Sequence, residues 1–388
     1  MIRTESELPP APTLKSLARL FLLLGATSFG GPAAHIGLLE NEVVRRRKWL
    51  SAEEFLDLLG ATNLIPGPNS TEMAIHIGHK LKGWRGLLVA GIAFIAPATA
   101  IVTLLSWAYV RFGTLPAIHG ALYGIKPVMI GIIAQALWTL GRYCLRTRQL
   151  VGICLVDIVA IAYGMHELVI LFGTGLASCL IASAVRKSSF TFAFLPFPLN
   201  FQPCVALAQP MTPQSFSPDS LFLVFLKIGS VLFGSGYVLF AYMKADFVDR
   251  LGWMTDRQLL DAVTIGQITP GPLFTSATFV GYLMAGPIGG LVATVGIFLP
   301  SFVFVALSAP LVPRMRRSTM AAAFLDGVNV ASWVLMAAVT FTMGRESLVD
   351  ALTVLLALLS LGLMTIWRVN STWLVAIGAL SGIATTLY

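Results

Sequence analysis

The sequence predicts an all-α polytopic membrane protein made of two inverted homologous halves, with about ten transmembrane helices and two re-entrant or broken-helix hairpins at Pro-Gly-Pro turns. Three observations lead there. First, only 11% of the 388 residues are charged and 56% are hydrophobic, whereas a soluble domain carries roughly a quarter charged residues. With a mean hydropathy of +0.82, the chain cannot cover itself with a wetted surface. Second, it repeats itself without gaps: Gly25 with Gly229, Trp49 with Trp253, Asp57 with Asp261, Pro66-Gly67-Pro68 with Pro270-Gly271-Pro272 and Thr71 with Thr275. After one deleted residue the register resumes with Pro97 and Pro300, Gly124 and Gly327, and Gly141-Arg142 with Gly344-Arg345. Third, both halves are interrupted at the same two places, a Phe-Gly step and a Pro-Gly-Pro turn.

The elements follow in order. Residues 1–16 are an N-terminal tail in which no apolar run precedes a cleavage site, so no removable signal is expected. The first repeat, 17–188, opens with an apolar segment near 17–40 broken at Gly30-Gly31-Pro32. Two short arms follow, 52–65 and 69–82, joined by Pro66-Gly67-Pro68. A proline without an N–H next to a glycine ends one helix and starts another. Arms of about 13 residues reach only about 20 Å, too short for two crossings. Long segments at about 84–110 and 116–141 come next, then 149–163 and 167–185. A Pro-, Ser- and Phe-rich stretch, 189–220, reads as a linker. The second repeat, 221–388, copies the pattern at 221–243, 256–269 with 273–285, 287–311, 319–343, 347–366 and 370–387.

Charge sets the topology. Arg45, Arg46, Arg47 and Lys48 precede the first hairpin, and Lys80, Lys82 and Arg85 follow it. If the hairpin is re-entrant both clusters share a face, the larger share of the 26 Lys and Arg falls on the cytoplasmic side, and the positive-inside rule is obeyed. Each half then has five crossings, an odd number, so the halves are inverted. The net charge of +8 is explained by these loops and points to a lipid bilayer, not to nucleic acid. Cys144, Cys154, Cys179 and Cys204 are scattered, with no metal or redox spacing.

Inverted repeats with broken helices are the design of many secondary transporters, and irregular backbone at membrane depth survives only where it lines a cavity or is buried in protein. The breaks therefore predict a shared central site. A helix starting after Pro-Gly-Pro aims free N–H groups and a partial positive charge at it, as an anion trap would require. The candidate substrate-binding residues are Phe29, Gly30, Gly31, Pro66, Gly67, Pro68, Asn69 and Ser70 in the first half, and Gly234, Ser235, Pro270, Gly271, Pro272, Thr275 and Ser276 in the second. Lys126 and Lys227 join them as intramembrane cations; snorkelling is the plain alternative for Lys227. Asp57 and Asp261 are repeat-paired carboxylates, read as structural or as proton carriers. Glu72, a coupling candidate like Asp57 and Asp261, follows Asn69 with capping-box spacing. Its counterpart is Ser276, so the turn from Gly271 to Ser276 is the better anion seat, with the Thr275 and Ser276 hydroxyls as extra donors. Glu72, His76 and His79 share a helix face, but the second half places Ser276, Val280 and Leu283 there, so a metal site is not expected and His76 is kept as a coupling candidate. Asp157 and Asp326 are intramembrane acids available to pair with the lysines. No Ser-His-Asp set, nucleotide loop or cofactor motif supports an enzyme.

Phe21 to Ile36 (FxxxGxxSFGGPAAHI), the basic run ending in Arg47-Lys48-Trp49-Leu50, the run NLIPGPNSTEMAIHIG and the second-half FxxxGxxxFGSG and QITPGP together resemble the chromate ion transporter family in its long two-domain form. The resemblance spans nearly the whole chain. It implies a multi-pass protein of the bacterial inner membrane that exports chromate by alternating access, confers chromate resistance and meets sulfate, another tetrahedral dianion, as a competitor. Another small anion as substrate, and an anion channel, are the alternatives. A homodimer is open, since no motif demands one.

Overall fold

The computed structural model describes residues 12–29, 31–113, 115–186, 216–233, 236–308, 319–367, 369 and 371–387. Among these residues are fourteen α-helices and no strand. The first half contains α1 (Leu14–Thr27), α2 (Gly31–Glu40), α3 (Ala52–Thr62), α4 (Asn69–Phe112), α5 (Pro116–Cys144), α6 (Arg148–Ala162) and α7 (Glu167–Arg186). The second contains α8 (Pro218–Val231), α9 (Leu239–Met243), α10 (Asp256–Ile268), α11 (Ser276–Ser308), α12 (Thr319–Ser347), α13 (Ala351–Ile366) and α14 (Ser371–Leu387). Gly30, Gly234, Ser235, Cys204 and most of the expected linker lie outside the described residues.

Local chemistry starts several of these helices. Thr13 caps α1, and capping boxes open α3 (Ser51 with Glu54), α8 (Ser217 with Ser220), α10 (Thr255 with Gln258) and α13 (Asp350 with Thr353). The Ser217 cap sets the start of α8 three residues ahead of the apolar run. α2 and α9 both run on into π-helical turns, Asn41–Arg46 and Lys244–Arg250, each burying one acid against an arginine four residues on: Glu42 with Arg46, and Asp246 with Arg250.

The apolar segment expected at 17–40 is two helices. α1 and its counterpart α8 have 14 residues each, about 21 Å, short of the roughly 30 Å hydrocarbon core. α2 and α9 continue beyond the break. Among the described residues five stretches are long and apolar enough to cross a membrane: Asn69–Phe112, Ile118–Cys144, Glu167–Ala184, Leu273–Ser308 and Thr319–Ser347; α13 and most of α14 are shorter apolar helices.

α4 and α11 are each folded at a point the hairpin pattern anticipates. Lys82 and Gly83 break α4, and Ala285 and Gly286 break α11. Gly83 (φ 58°, ψ −145°) and Gly286 (φ 60°, ψ −153°) occupy a backbone region essentially reserved for glycine. At each fold the chain doubles back: a Cβ on Gly78 would lie 2.3 Å from the Gly86 carbonyl oxygen, and one on Gly281 would lie 2.2 Å from that of Gly289. The short arms also run antiparallel to the helices before the Pro-Gly-Pro turns. Lys80, at the end of one arm, pairs with Glu54, at the start of the other, at 3.3 Å. In the second half Gln258 and the Leu283-Met284 step line one groove. Each hairpin therefore enters and leaves on one side, and the basic clusters around the first share a face.

Contacts within and between the halves are reciprocal. α5 packs on α14 as α12 packs on α7, α1 packs on α4 as α8 packs on α11, and the counterparts α4 and α11 meet each other, as do α5 and α12. Two-fold-related units make contacts of this kind. The α5–α14 seam uses two facing Gly-x-x-x-Gly pairs: a Cβ on Gly124 would lie 1.9 Å from the Gly378 oxygen, and one on Gly382 1.9 Å from the Gly120 oxygen. Lipid supplies no hydrophobic drive between helices, so close backbone approach of this kind carries the packing.

Candidate functional site

The two Pro-Gly-Pro turns dock on the two Phe-Gly breaks, each across to the other half. The Gly67 N–H donates to the Leu232 carbonyl at 2.7 Å, and the Gly271 N–H donates to the Ser28 carbonyl at 2.8 Å. Donor and acceptor are repeat counterparts in both bonds. Both glycines have positive φ, +140° and +93°, which lets the turn present its N–H outward. The Ser28 oxygen takes a second partner, His35 Nε2 at 3.0 Å, which makes that nitrogen a donor, and the Ser332 hydroxyl donates to the Phe233 oxygen at 3.0 Å.

Helix starts follow both turns. The hydrogen-bond ladder of α4 begins with Thr71 and Glu72 donating to Pro68, leaving the Asn69 and Ser70 amides in the leading positions. The Asn69 side chain donates to Asn63 at 3.0 Å. In the second half a single 3₁₀ turn, Leu273–Thr275, precedes α11, and Thr275 begins the ladder by donating to Pro272. Ser70, Thr71, Glu72, Thr275 and Ser276 are all buried.

At the expected anion seat, Gly271 to Ser276, the two extra hydroxyl donors are engaged within the turn. The Thr275 hydroxyl donates to the Pro272 carbonyl at 2.8 Å and the Ser276 hydroxyl to the Leu273 carbonyl at 2.5 Å, so both are spent on the turn's own backbone. The capping-box reading of Glu72 fails. Pro68 is the N-cap and makes no side-chain cap bond, which puts Glu72 one position beyond box spacing. Instead its fully buried carboxyl folds back over Gly67, beside the Ser301 hydroxyl of α11.

The lysines also stand elsewhere than expected. Lys126 pairs with Asp261 at 2.7 Å, and the Tyr109 hydroxyl donates to the same carboxylate at 2.7 Å. This unit joins α5, α10 and α4 at 12% and 3% exposure for the two charged side chains. Lys227 pairs with Asp246 at 2.5 Å, and Asp246 also takes Arg250 at 2.6 Å. Neither lysine therefore brings an uncompensated charge to the turns. Asp157 and Asp326 are not their partners: Asp157 accepts from Thr174 at 2.6 Å, and Asp326 pairs with Arg146 at 2.5 Å. The repeat-paired Asp57 and Asp261 diverge, the first exposed and the second buried. Among the described residues no three His, Cys, Asp or Glu side chains gather as a metal site.

Several polar residues at the breaks were not singled out in the sequence: His35, Ser301, Ser332, and the neighbours Tyr237 and Gln267. His35 lies inside the motif FGGPAAHI, and Gln267 stands ahead of the second turn, separated from Pro270 by Ile268 and Thr269, at the position Asn63 holds before the first.

The chromate transporter family model matches twice, over residues 15–179 and 220–383. A probable chromate transport protein of Synechococcus elongatus is 31% identical over 383 residues, covering 96% of each chain. The chromate transport protein of Cupriavidus metallidurans is 30% identical over 383 residues, 95% of this chain and 92% of that one. That of Pseudomonas aeruginosa is 31% identical over 369 residues, 93% and 88% of the two chains. No solved structure matches the chain.

Proposed function

The chain belongs to the chromate transporter family, and on that premise we propose that it is a secondary transporter exporting chromate across the inner membrane by alternating access. The reciprocal pair of bonds, Gly67 to Leu232 and Gly271 to Ser28, carries this reading. Two equivalent closures built from counterpart residues of repeats 17–188 and 221–388 are what a carrier needs in order to open on one side while staying shut on the other. Five crossings per repeat, counting each α1–α2 or α8–α9 pair as one and each hairpin as none, invert one repeat against the other and put the two closures on opposite sides of the centre.

In this scheme the substrate meets backbone amides freed when a closure parts: Gly67 with the leading amides of Asn69 and Ser70, or Gly271 with those of Leu273 and Phe274. Phe29 and Phe233 stand beside the space that opens. Lys126 with Asp261, and Lys227 and Arg250 with Asp246, tie the surrounding helices together. An inside-negative potential drives a dianion outward, at about 2.3 kcal/mol per charge per 100 mV, or roughly 4–5 kcal/mol for chromate, without a nucleotide.

Chromate uptake into inverted membrane vesicles tests the reading. Accumulation should depend on the potential and fall when sulfate competes. Vesicles that move neither anion overturn the substrate; movement that never exceeds equilibrium under any gradient overturns the coupled carrier in favour of a channel.

A further inference from the structure

The repeat provides an internal control on the corner behind each Pro-Gly-Pro turn. The corners share the Pro-Gly-Pro turn and the cross-repeat bond, although a 3₁₀ turn opens only the second helix. In side chains they differ in one polar pair. Behind Gly271 stand Ser276, whose hydroxyl caps Leu273, and Ala98, whose Cβ lies 2.7 Å from where a Gly271 Cβ would sit. Behind Gly67 stand Glu72 and Ser301, whose Oε1 and Oγ lie 2.2 and 2.7 Å from a Gly67 Cβ. The second half shows that the corner forms without a carboxyl, so architecture does not explain Glu72.

The Glu72 side chain is fully buried, and neither oxygen meets a hydrogen-bond partner of full geometry; Ser301 Oγ and, one turn along α4 on the same face, His76 Nε2 are in the same condition. Among the described residues Glu72 forms no ion pair. The elements around it offer no cation. α11 carries no acidic or basic residue from 276 to 308. On α1, Lys15 and Arg19 are exposed; on α3, Glu53 and Asp57 are exposed and Glu54 is paired with Lys80. His35 is bound to the Ser28 carbonyl, Lys227 and Asp261 are in ion pairs, and His79 stacks edge-on with Trp84. A bare carboxylate in this place would be an uncompensated buried charge beside the helix end an anion must use.

We propose that Glu72, with Ser301 beside it, is a proton-binding site coupled to substrate: the carboxyl must carry its proton for an anion to bind at the first helix end, and it releases that proton to water when the anion has left and the corner is open. This rests on the transport reading above. Anion and carboxylate compete for the same dipole and repel each other, so anion binding above the carboxyl's ionisation takes up one proton.

Chromate binding and proton uptake, measured on the full-length protein in nanodiscs as pH is raised, test this. Wild-type affinity should fall tenfold per pH unit above the ionisation, with proton uptake approaching one per anion. Glu72→Gln, isosteric with the protonated form, should bind chromate with affinity flat over that range and no uptake beyond that of the anion itself; chromate's own titration is common to both proteins and cancels. Glu72→Ser, the residue of the second half, should fold and be equally flat, and His76→Asn should keep the wild-type slope. A Glu72→Gln protein with the wild-type slope and proton uptake overturns the site. Wild-type protein that binds no chromate at any pH overturns the transport reading itself, and this site with it.

Discussion

Replacing Gly271 by alanine should separate a tight turn from a cross-repeat closure. At φ +93° an L-residue is strained, by about 1–3 kcal/mol. The added Cβ would lie 2.7 Å from the Ala98 Cβ and 2.8 Å from the Gly25 carbonyl oxygen. Neither neighbour is the free end of a flexible chain, so overpacking adds about 1–3 kcal/mol. The sum, roughly 2–6 kcal/mol, falls on the closure held by the Gly271–Ser28 bond and corresponds to at least a thirtyfold loss of the closed arrangement. Vesicle chromate uptake per molecule of protein, together with thermal unfolding of the purified chain, measures it. Gly152→Ala on α6, where a Cβ meets nothing within 4 Å, is the control and should behave as wild type. At Gly67 the Cβ would meet the ends of the Glu72 and Ser301 side chains, which can swing aside, so Gly67→Ala should cost less than Gly271→Ala. Wild-type uptake and stability in Gly271→Ala would refute the reasoning.

Three further outcomes are expected. Lys126→Ala leaves Asp261 buried without its cation and should cost about 3–5 kcal/mol in thermal or denaturant unfolding, with Lys126→Met plus Asp261→Leu recovering most of it; a stable Lys126→Ala protein that merely loses chromate binding would contradict the structural role. Gly124→Leu drives a side chain into the Gly378 backbone, so the protein should unfold at lower temperature, while the control Gly362→Leu, at a position where a Cβ meets nothing within 4 Å, should not. The Tyr123 hydroxyl, foremost, and the Thr353 amide hold the Asp350 carboxyl below its ordinary range. Its contribution is therefore present at neutral pH and lost as pH falls through that lowered value, and Asp350→Ala should flatten the acid limb of the unfolding temperature against pH.

Much of this architecture is legible in the sequence because the repeat reports on itself. Pro-Gly-Pro, paired tryptophans and a matched register fix the hairpins, and the folds at Gly83 and Gly286 fall where short arms must give way to full crossings. Side-chain partnership is what the sequence hides. Lys126 and Asp261 lie far apart in the chain, and only the packing of α5 against α10 pairs them. Thr275 and Ser276 look like free donors until the 3₁₀ turn shows their hydroxyls spent on Pro272 and Leu273. Glu72 has the spacing of a cap residue, but Pro68 takes the cap position and turns the carboxyl inward. The Gly-x-x-x-Gly pairs at Gly120/Gly124 and Gly378/Gly382 were readable as close-packing motifs; only their meeting one another needed the fold.

Cross-linking of the two closures tests the central claim most directly. In a cysteine-free chain, Ser28→Cys with Thr269→Cys, and Leu232→Cys with Ile65→Cys, place thiols on either side of the two cross-repeat bonds. Each pair should join with a short membrane-permeant bifunctional thiol reagent, and either bridge alone should abolish chromate uptake that the unbridged proteins retain. Pairs that never join, or bridged protein that still transports at the unbridged rate, would contradict the account.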